Sequence, residues 1–338
     1  MSRRDNILSL FDASGFGLEI GPSYNPLLPK ADGYRVETLD YADQATLQRK
    51  YDRDPTVDTS RIEPVDFVSD GRPMRDVIGK VAAYDFILAS HVIEHTPDML
   101  GFLQDCETLL KPDGVLVLAV PDKRCCFDVF QRLTSTGEVL DAHDVGRRRP
   151  GLGSVFDAAA YGAKKDGAPG WPLGSDGDRR LSRPVAEAWH VARHAHESPR
   201  YTDVHVWRFV PSSFALIVHD LHEIGEIGLR LVDLRPTDEF FAVLSTTGDG
   251  LGWTRQDMIE ASFREHAHDY VLATERTQEK RWAGEREALT QAVEDMRHEA
   301  DRLKLELDIA REEVAALRAS TSWRLTRPLR ALRERISS

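Results

Sequence analysis

Short apolar runs alternate with stretches of helical spacing through the first third of the chain. The runs are Gly17 to Ile20, Arg35 to Leu39, Val65 to Ser69, Tyr84 to Ala89 and Val115 to Val120. Alternation of this kind predicts a parallel sheet covered by helices. Between the last two runs, Met99, Leu100, Leu103, Cys106, Leu109 and Leu110 recur at steps of three and four, which makes one apolar stripe on a helix. Lys111-Pro112-Asp113-Gly114 then ends that helix and opens the fifth strand. Farther on, Pro211 to Ile224 reads as a helix, and Gly228 to Leu234 with Glu239 to Ser245 predict a hairpin that closes the sheet edge and brings the strands to seven. The intervening residues 127–205 are punctuated by clusters such as Arg149-Pro150-Gly151-Leu152-Gly153 and Gly167-Ala168-Pro169-Gly170-Trp171-Pro172. They predict an insertion lying over the open strand ends as a substrate cap, within a domain spanning residues 1–255.

A different period takes over toward the end of the chain. From Trp282, apolar or small residues recur at Leu289, Val293, Met296, Ala300, Leu303, Leu307, Ala310, Val314 and Leu317, alternating steps of four and three. This is a heptad seam, broken only by Arg286, and it predicts a coiled coil over residues 265–318. Glu299, Glu306 and Glu313 occupy g positions, and Lys304, Arg311 and Arg318 each lie five residues beyond one of them at e. In a parallel pair each g acid meets an e base of the partner, whereas an antiparallel pair opposes like charges, so a parallel homodimer is expected. Salt bridges within a single solvated helix would use the same charges.

Residues 319–338 form a basic amphipathic tail. Arg324, Arg327, Arg330, Arg333 and Arg335 face the single acid Glu334, and Trp323, Leu325, Leu329, Leu332 and Ile336 supply an apolar complement. Such a tail suits peripheral contact with an anionic membrane surface, here its inner face, or docking on a partner.

Composition narrows the functional classes. The chain has 338 residues, 41% of them hydrophobic, which suffices for one large domain with an appendage. Its formal net charge of −12 argues against nucleic acid as the main partner. Cys106, Cys125 and Cys126 form neither a disulfide framework nor a zinc spacing, and no run approaches the ~20 apolar residues of a membrane span. A cytoplasmic protein is the expectation.

The first strand ends in Leu18-Glu19-Ile20-Gly21-Pro22-Ser23-Tyr24-Asn25-Pro26, an acid running into a glycine turn, and a second strand-end acid, Asp40, follows in Val36-Glu37-Thr38-Leu39-Asp40-Tyr41. A glycine lets backbone approach a ligand, and an acid about 20 residues on can accept from ribose hydroxyls. A dinucleotide site would want G-x-G-x-x-G to hold a pyrophosphate, but here Gly21 stands alone and Pro22 and Pro26 remove amide donors. A nucleoside cofactor without phosphates fits better, and S-adenosylmethionine has that chemistry.

With these motifs in order, residues from about Phe16 to Thr246 resemble a class I S-adenosylmethionine-dependent methyltransferase of the type 11 kind. Leu18 to Pro22 resembles the family's first motif, Asp40-Tyr41 its ribose site, Ser69-Asp70-Gly71 its adenine-side acid and Tyr84 to His95 its fourth-strand motif. Leu110 to Leu116 resembles the turn into the fifth strand, while Ser23 and Asn25 stand where the family has its second and third glycines. The resemblance implies a Rossmann-like α/β fold and a cofactor site of Glu19, Gly21, Pro22, Asp40, Tyr41, Asp70, Gly71 and Ser90. Asp40 would take the ribose hydroxyls, Tyr41 would lie against adenine, Asp70 would accept from its amino group, and Glu19 would orient the loop or the methionine end.

A hydroxyl nucleophile needs its proton taken, and histidine is the usual base. His91 at the end of the fourth strand, His143 among carboxylates in the insertion and His205 in Asp203-Val204-His205-Val206-Trp207 are the expected catalytic residues. Lys123 and Arg124, leaving the sheet after the fifth strand, would hold an anionic or sugar acceptor, with Trp171, Trp189 and Trp207 as aromatic faces. His91, Glu94 and His95 fall at i, i+3 and i+4 of a helix start, and His190, His194 and His196 form H-x-x-x-H-x-H, but no metal is assigned to either group. The Ser320-to-Arg330 tail resembles the ending of bacterial surface-polysaccharide enzymes. O-methylation of a sugar on a surface glycan is therefore expected, with a glycosyltransferase as a further expected partner of the coil or tail. Methylation of a soluble small molecule, an inactive scaffold that recruits glycosyltransferases, and an NAD-dependent oxidoreductase are the alternatives.

Overall fold

The structure, a computed structural model, describes residues 2–198 and 202–330. The first half contains α1 (Arg3–Leu8), β1 (Gly17–Ile20), β2 (Val36–Asp40), α2 (Gln44–Tyr51), β3 (Phe67–Val68), α3 (Met74–Ile78), β4 (Tyr84–Ser90), α4 (Met99–Leu109) and β5 (Leu110–Pro121). The insertion holds α5 (Thr136–Asp144), α6 (Leu152–Ala160), β6 (Ala163–Lys165), β7 (Arg179–Leu181) and α7 (Val185–Glu197). Then come α8 (Pro211–Glu223), β8 (Arg230–Pro236), β9 (Glu239–Ser245), α9 (Arg255–Ala319) and α10 (Thr321–Leu325). Arg333, Arg335 and their apolar neighbours in the tail lie outside the described residues.

Seven strands form one sheet in the order β3-β2-β1-β4-β5-β9-β8. The first five are parallel, whereas β9 runs antiparallel to β5, with Val115 opposite Ser245 and Pro121 opposite Glu239. The hairpin read from the sequence is the β8–β9 pair at this edge. Both faces of the sheet are covered, so its strands are apolar on both sides rather than alternately polar. Ile87, Ala89, Leu116 and Leu118 point into the core that holds α4 and α8. Phe86, Leu88, Val117 and Ala119, one residue out of phase, pack with Ile7 and Leu28 on the other face.

Chain order reverses between β1 and β4, and a crevice outside the carboxyl ends of such strands is where open α/β sheets bind ligands. The insertion leaves the sheet at Asp122 and returns at Phe209, which bridge in parallel, with Lys123 N donating to Phe209 O at 2.9 Å. Two departures from the sequence reading occur in this part. Lys111 to Gly114 does not precede the fifth strand but lies inside it: Tyr84 is opposite Leu110 and Phe86 opposite Val115, so the extra residues bulge out. Ile93 to His95 is a 3-10 turn rather than the start of an α-helix, and it follows His91 in a left-handed conformation with φ of 55°.

The backbone divides into two compact units, Met1–Thr274 and Glu275–Ser338. Helix α9 begins at a reciprocal cap, with Thr254 N and Oγ1 donating to Asp257 Oδ2 at 3.0 and 2.6 Å and Asp257 N returning to Thr254 Oγ1 at 3.1 Å. Met258, one turn on, is buried in the main core. In the second unit the described heptad positions stand open: Leu289, Leu303 and Leu317 are 68%, 53% and 61% exposed.

Candidate active site

The turn after β1 is built by two buried carboxylates. Glu19 Oε1 and Oε2 accept the amides of Leu27 and Leu28 at 2.7 and 3.1 Å. Asp40 Oδ2 accepts the amide of Ser23 at 2.8 Å, and its Oδ1 accepts that of Tyr41 at 2.7 Å. Residues 21–28 are thus pinned at both ends against the tips of β1 and β2. Gly21 sits at φ of 67°, and a Cβ there would lie 2.8 Å from Val92 Cγ2, so both conformation and space require glycine. Burial pushes the Glu19 carboxyl up to about 7 despite its two amide donors, and raises that of Asp40.

Of the two roles expected for Glu19, the loop-orienting one is what the structure displays. Asp40 retains acceptor capacity, since a carboxylate has about four lone-pair sites. Tyr41, next to it, has an exposed ring with Lys50 Nζ 4.8 Å from the centroid. Ser69 N donates to Asp40 O at 2.8 Å, which brings the Ser69-Asp70-Gly71 segment to the same sheet edge. Asp70 itself is exposed and bound by Arg72 at 2.8 Å, so an adenine amino group would compete with that guanidinium. Gly71 adopts φ of 84° with open space around it. Ser90 Oγ accepts from Arg3 Nη2 at 2.8 Å at the end of β4. Pro22 has no amide to donate. A cleft of about 600 Å³ lined by Phe11, Asp12, Gly15, Asp85 and Lys111 to Val115 opens at the opposite edge, where the strands begin, and has no part in this arrangement.

The three expected histidines separate into two places. His143, on α5, holds Asp98 at 3.0 Å through Nδ1. Asp98 is also the N-cap of α4, accepting the Gly101 amide at 2.9 Å, so the helix start fixes the carboxylate that in turn fixes the imidazole. His91 and His205 meet at Glu94 instead, together with His95. This meeting depends on a backbone splice: Val206 and Trp207 donate to the Glu94 carbonyl at 2.7 and 3.2 Å, and Trp207 Nε1 donates to Thr96 O at 2.6 Å.

Four residues expected to face an acceptor are used internally. Lys123 is 1% exposed, donates to Val129 O at 2.8 Å and approaches His266 Nδ1 at 3.3 Å. Burial pushes its ammonium down to about 8, so it is no surface anion-binding group. Arg124 closes a mostly buried ion pair on Asp122 at 2.5 Å. Trp207 is buried as the splice anchor just described, and Trp171 is buried with Nε1 on Arg124 O at 2.8 Å. Trp189 alone of the three expected aromatic faces is exposed, with Arg193 over its ring. Lys123 and Arg124 lie just past a strand end, where a side chain faces either the crevice or the body of an inserted segment, and spacing does not distinguish the two. His190 and His194 are exposed on α7 and join no ligand cluster among the described residues.

The residues absent from the expected catalytic set are Glu94, His95, Asp128, Asp203 and Glu239. Glu94 and His95 stood in the sequence as the i+3 and i+4 partners of His91. Asp128 and Glu239 reach the same place through contacts 77 and 148 residues long, for which the sequence carries no signal.

A family model described as a methyltransferase domain matches residues 3–220, well over half of the chain. A ubiquinone biosynthesis O-methyltransferase of Haemophilus ducreyi is 47% identical over 36 residues, which is 11% of this chain and only 15% of the relative's length. Among solved structures, a SAM-dependent methyltransferase from Aquifex aeolicus aligns at 11% identity and a TM-score of 0.36, covering 72% of this chain and 88% of that one. The CcbJ methyltransferase from Streptomyces caelestis aligns at 13% identity and a TM-score of 0.36, covering 72% and 94%.

Proposed function

This chain belongs to the methyltransferase-domain family, and from that premise we propose that it transfers a methyl group from S-adenosylmethionine to a hydroxyl oxygen. The observation that carries the cofactor reading is the Gly21 turn. It is a left-handed glycine turn held between Glu19 and Asp40 at the adjoining tips of β1 and β2, beside the point where strand order reverses. Spare lone pairs on Asp40 suit ribose hydroxyls, and the proline-rich turn suits a ligand without phosphates. The bound cofactor supplies a methyl already activated on a sulfonium, so the chain's part is to align the acceptor and remove its proton. His143 is the base in this reading. Asp98 on Nδ1 holds the tautomer whose Nε2 accepts a proton, and Nε2 carries no hydrogen bond among the described residues.

Replacing Asp40 tests the cofactor assignment. Asp40→Ala is expected to weaken S-adenosylhomocysteine binding in calorimetry at least tenfold, about 1.4 kcal/mol, while the melting transition stays cooperative. Unchanged affinity would remove Asp40 from the site, and no affinity in the parent protein would remove the reading.

For the acceptor, a sugar of a surface glycan is supported by the tail's resemblance to polysaccharide enzymes and by exposed Trp189. The burial of Trp171 and Trp207 takes away the other aromatic faces. The short match to a ubiquinone biosynthesis O-methyltransferase favours a second reading, a small hydroxylated acceptor. Methyl transfer assayed on glycan precursors beside small phenols and free sugars separates them. The open heptad face and its g and e charges support a parallel homodimer, which would array two such sites on one stalk.

A further inference from the structure

Glu94 is fully buried, and neither carboxylate oxygen has a hydrogen-bond partner among the described residues. Leaving a carboxylate dry and unbonded is costly, so its surroundings should contain what satisfies it. Around Oε1 stand three imidazole nitrogens: His91 Nδ1 at 3.5 Å, His95 Nε2 at 3.8 Å and His205 Nε2 at 4.0 Å. These separations exceed hydrogen-bond length. They are close to the edge of a coordination shell, because ligands about 2.1 Å from a tetrahedral ion lie roughly 3.4 Å from one another. Glu94, His95 and His205 can direct one ligand atom each to a common point, all within 4.8 Å of one another.

The outer nitrogens of the same rings make a second, independent observation. His205 Nδ1 is 2.5 Å from Asp128 Oδ2, His91 Nε2 is 3.0 Å from Glu239 Oε2, and His95 Nδ1 is 3.0 Å from Asp203 Oδ1. The last is an ion-pair contact. Every ring therefore turns one nitrogen to a carboxylate and the other to Glu94. A carboxylate on the far nitrogen fixes the tautomer and makes the near nitrogen a better donor to a cation. Asp128 is further held by Gln131 Nε2 and Glu239 by Arg3, so both are positioned rather than free.

We infer that Glu94, His95 and His205, with His91 as a fourth donor, bind one divalent transition-metal ion at the carboxyl end of β4. A set of imidazoles with one carboxylate suits Zn²⁺, Co²⁺, Fe²⁺ or Mn²⁺ and not Mg²⁺ or Ca²⁺, which prefer all-oxygen shells. The site adjoins the cofactor turn, since Val92, the residue after His91, is what a Cβ on Gly21 would strike. An ion there would offer a further position to an acceptor oxygen. That service rests on the methyltransferase reading, whereas the binding of the ion does not.

The test uses the full chain dialysed against chelator and titrated with Co²⁺, followed by visible absorption and by elemental analysis after desalting. One equivalent is expected to bind with a ligand-field spectrum, to be displaced by Zn²⁺ and not by Mg²⁺, and to raise the melting temperature. Glu94→Gln and His205→Ala should abolish the spectrum, and the surface variant His190→Ala should keep it. If either ligand variant does not fold, Asp128→Asn should weaken Co²⁺ binding by ~10–100-fold, as expected of a group that orients a ligand. Absence of stoichiometric Co²⁺ binding by the parent chain, or a titration unaltered by Glu94→Gln or by Asp128→Asn, overturns the inference. Calorimetry with S-adenosylhomocysteine on the same samples keeps the two proposals apart: cofactor binding without Co²⁺ removes only the ion, and Co²⁺ binding without the cofactor removes only the methyltransferase reading.

Discussion

At the scale of single residues, Glu19 links the fold to pH. Its carboxyl is 3% exposed, and burial lifts it from about 4.5 to about 7. Because the folded value is raised, the folded state holds the proton more tightly than the unfolded chain does. The associated stability is fully present below about pH 4.5 and is lost as pH rises through about 7. The shift corresponds to an order of magnitude of ~3 kcal/mol. Urea unfolding of the parent and of Glu19→Gln should show the parent's advantage shrinking from pH 4.5 to 7.5, and a constant gap would refute the assignment. His143 makes a separate prediction. If it takes the acceptor proton, His143→Ala should lower kcat by ~10²–10⁴ with S-adenosylhomocysteine affinity unchanged. A loss confined to KM would make it a binding residue instead.

Elements carry the second kind of prediction. The g and e charges of α9 are engaged within the single chain by local pairs such as Arg302 with Glu299 and Arg311 with Asp308. Exposed contacts of this sort contribute roughly 0.2–1 kcal/mol each, too little to explain an apolar stripe left open from Leu289 to Leu317. The proposed partner helix would cover the stripe, and the g-to-e order favours a parallel one. The triple variant Lys304→Glu, Arg311→Glu, Arg318→Glu should shift the sedimenting species from dimer toward monomer, and mixing with Glu299→Lys, Glu306→Lys, Glu313→Lys should restore a heterodimer. Dimers that survive the triple change would exclude this pairing. Element boundaries were legible wherever a cap or a period marked them, as at Pro211 for α8. The bulge at Lys111 to Gly114 was not, because turn chemistry reads the same whether or not the strand resumes its pairing on both sides.

For the whole molecule, the division at Thr274 has a thermodynamic signature. Melting of the sheet unit should not depend on protein concentration, whereas melting of a paired helix should rise with it, since association stabilises by mass action. Scanning calorimetry at two concentrations tenfold apart checks this: two transitions of which only one moves are expected, and a single immobile transition would argue against both the pairing and the independence of the units.

Periodicity and turn chemistry alone determined the seven strands, the parallel run of the first five with a hairpin at the edge, the terminal helix and the glycine turn with its two strand-end acids. These are local signals, and strands alternating with helices lead to a parallel sheet. What tertiary structure decided is everything set by contacts across the insertion: that Lys123 and Trp207 turn inward, that Asp98 rather than a neighbouring acid meets His143, and that His205 arrives at Glu94. The reason is physical. A strand or helix states its own period within a few residues, but which polar side chains converge depends on where a long segment re-enters the sheet, and that path is fixed by the packing of Phe209, Trp207 and the turn at Glu94.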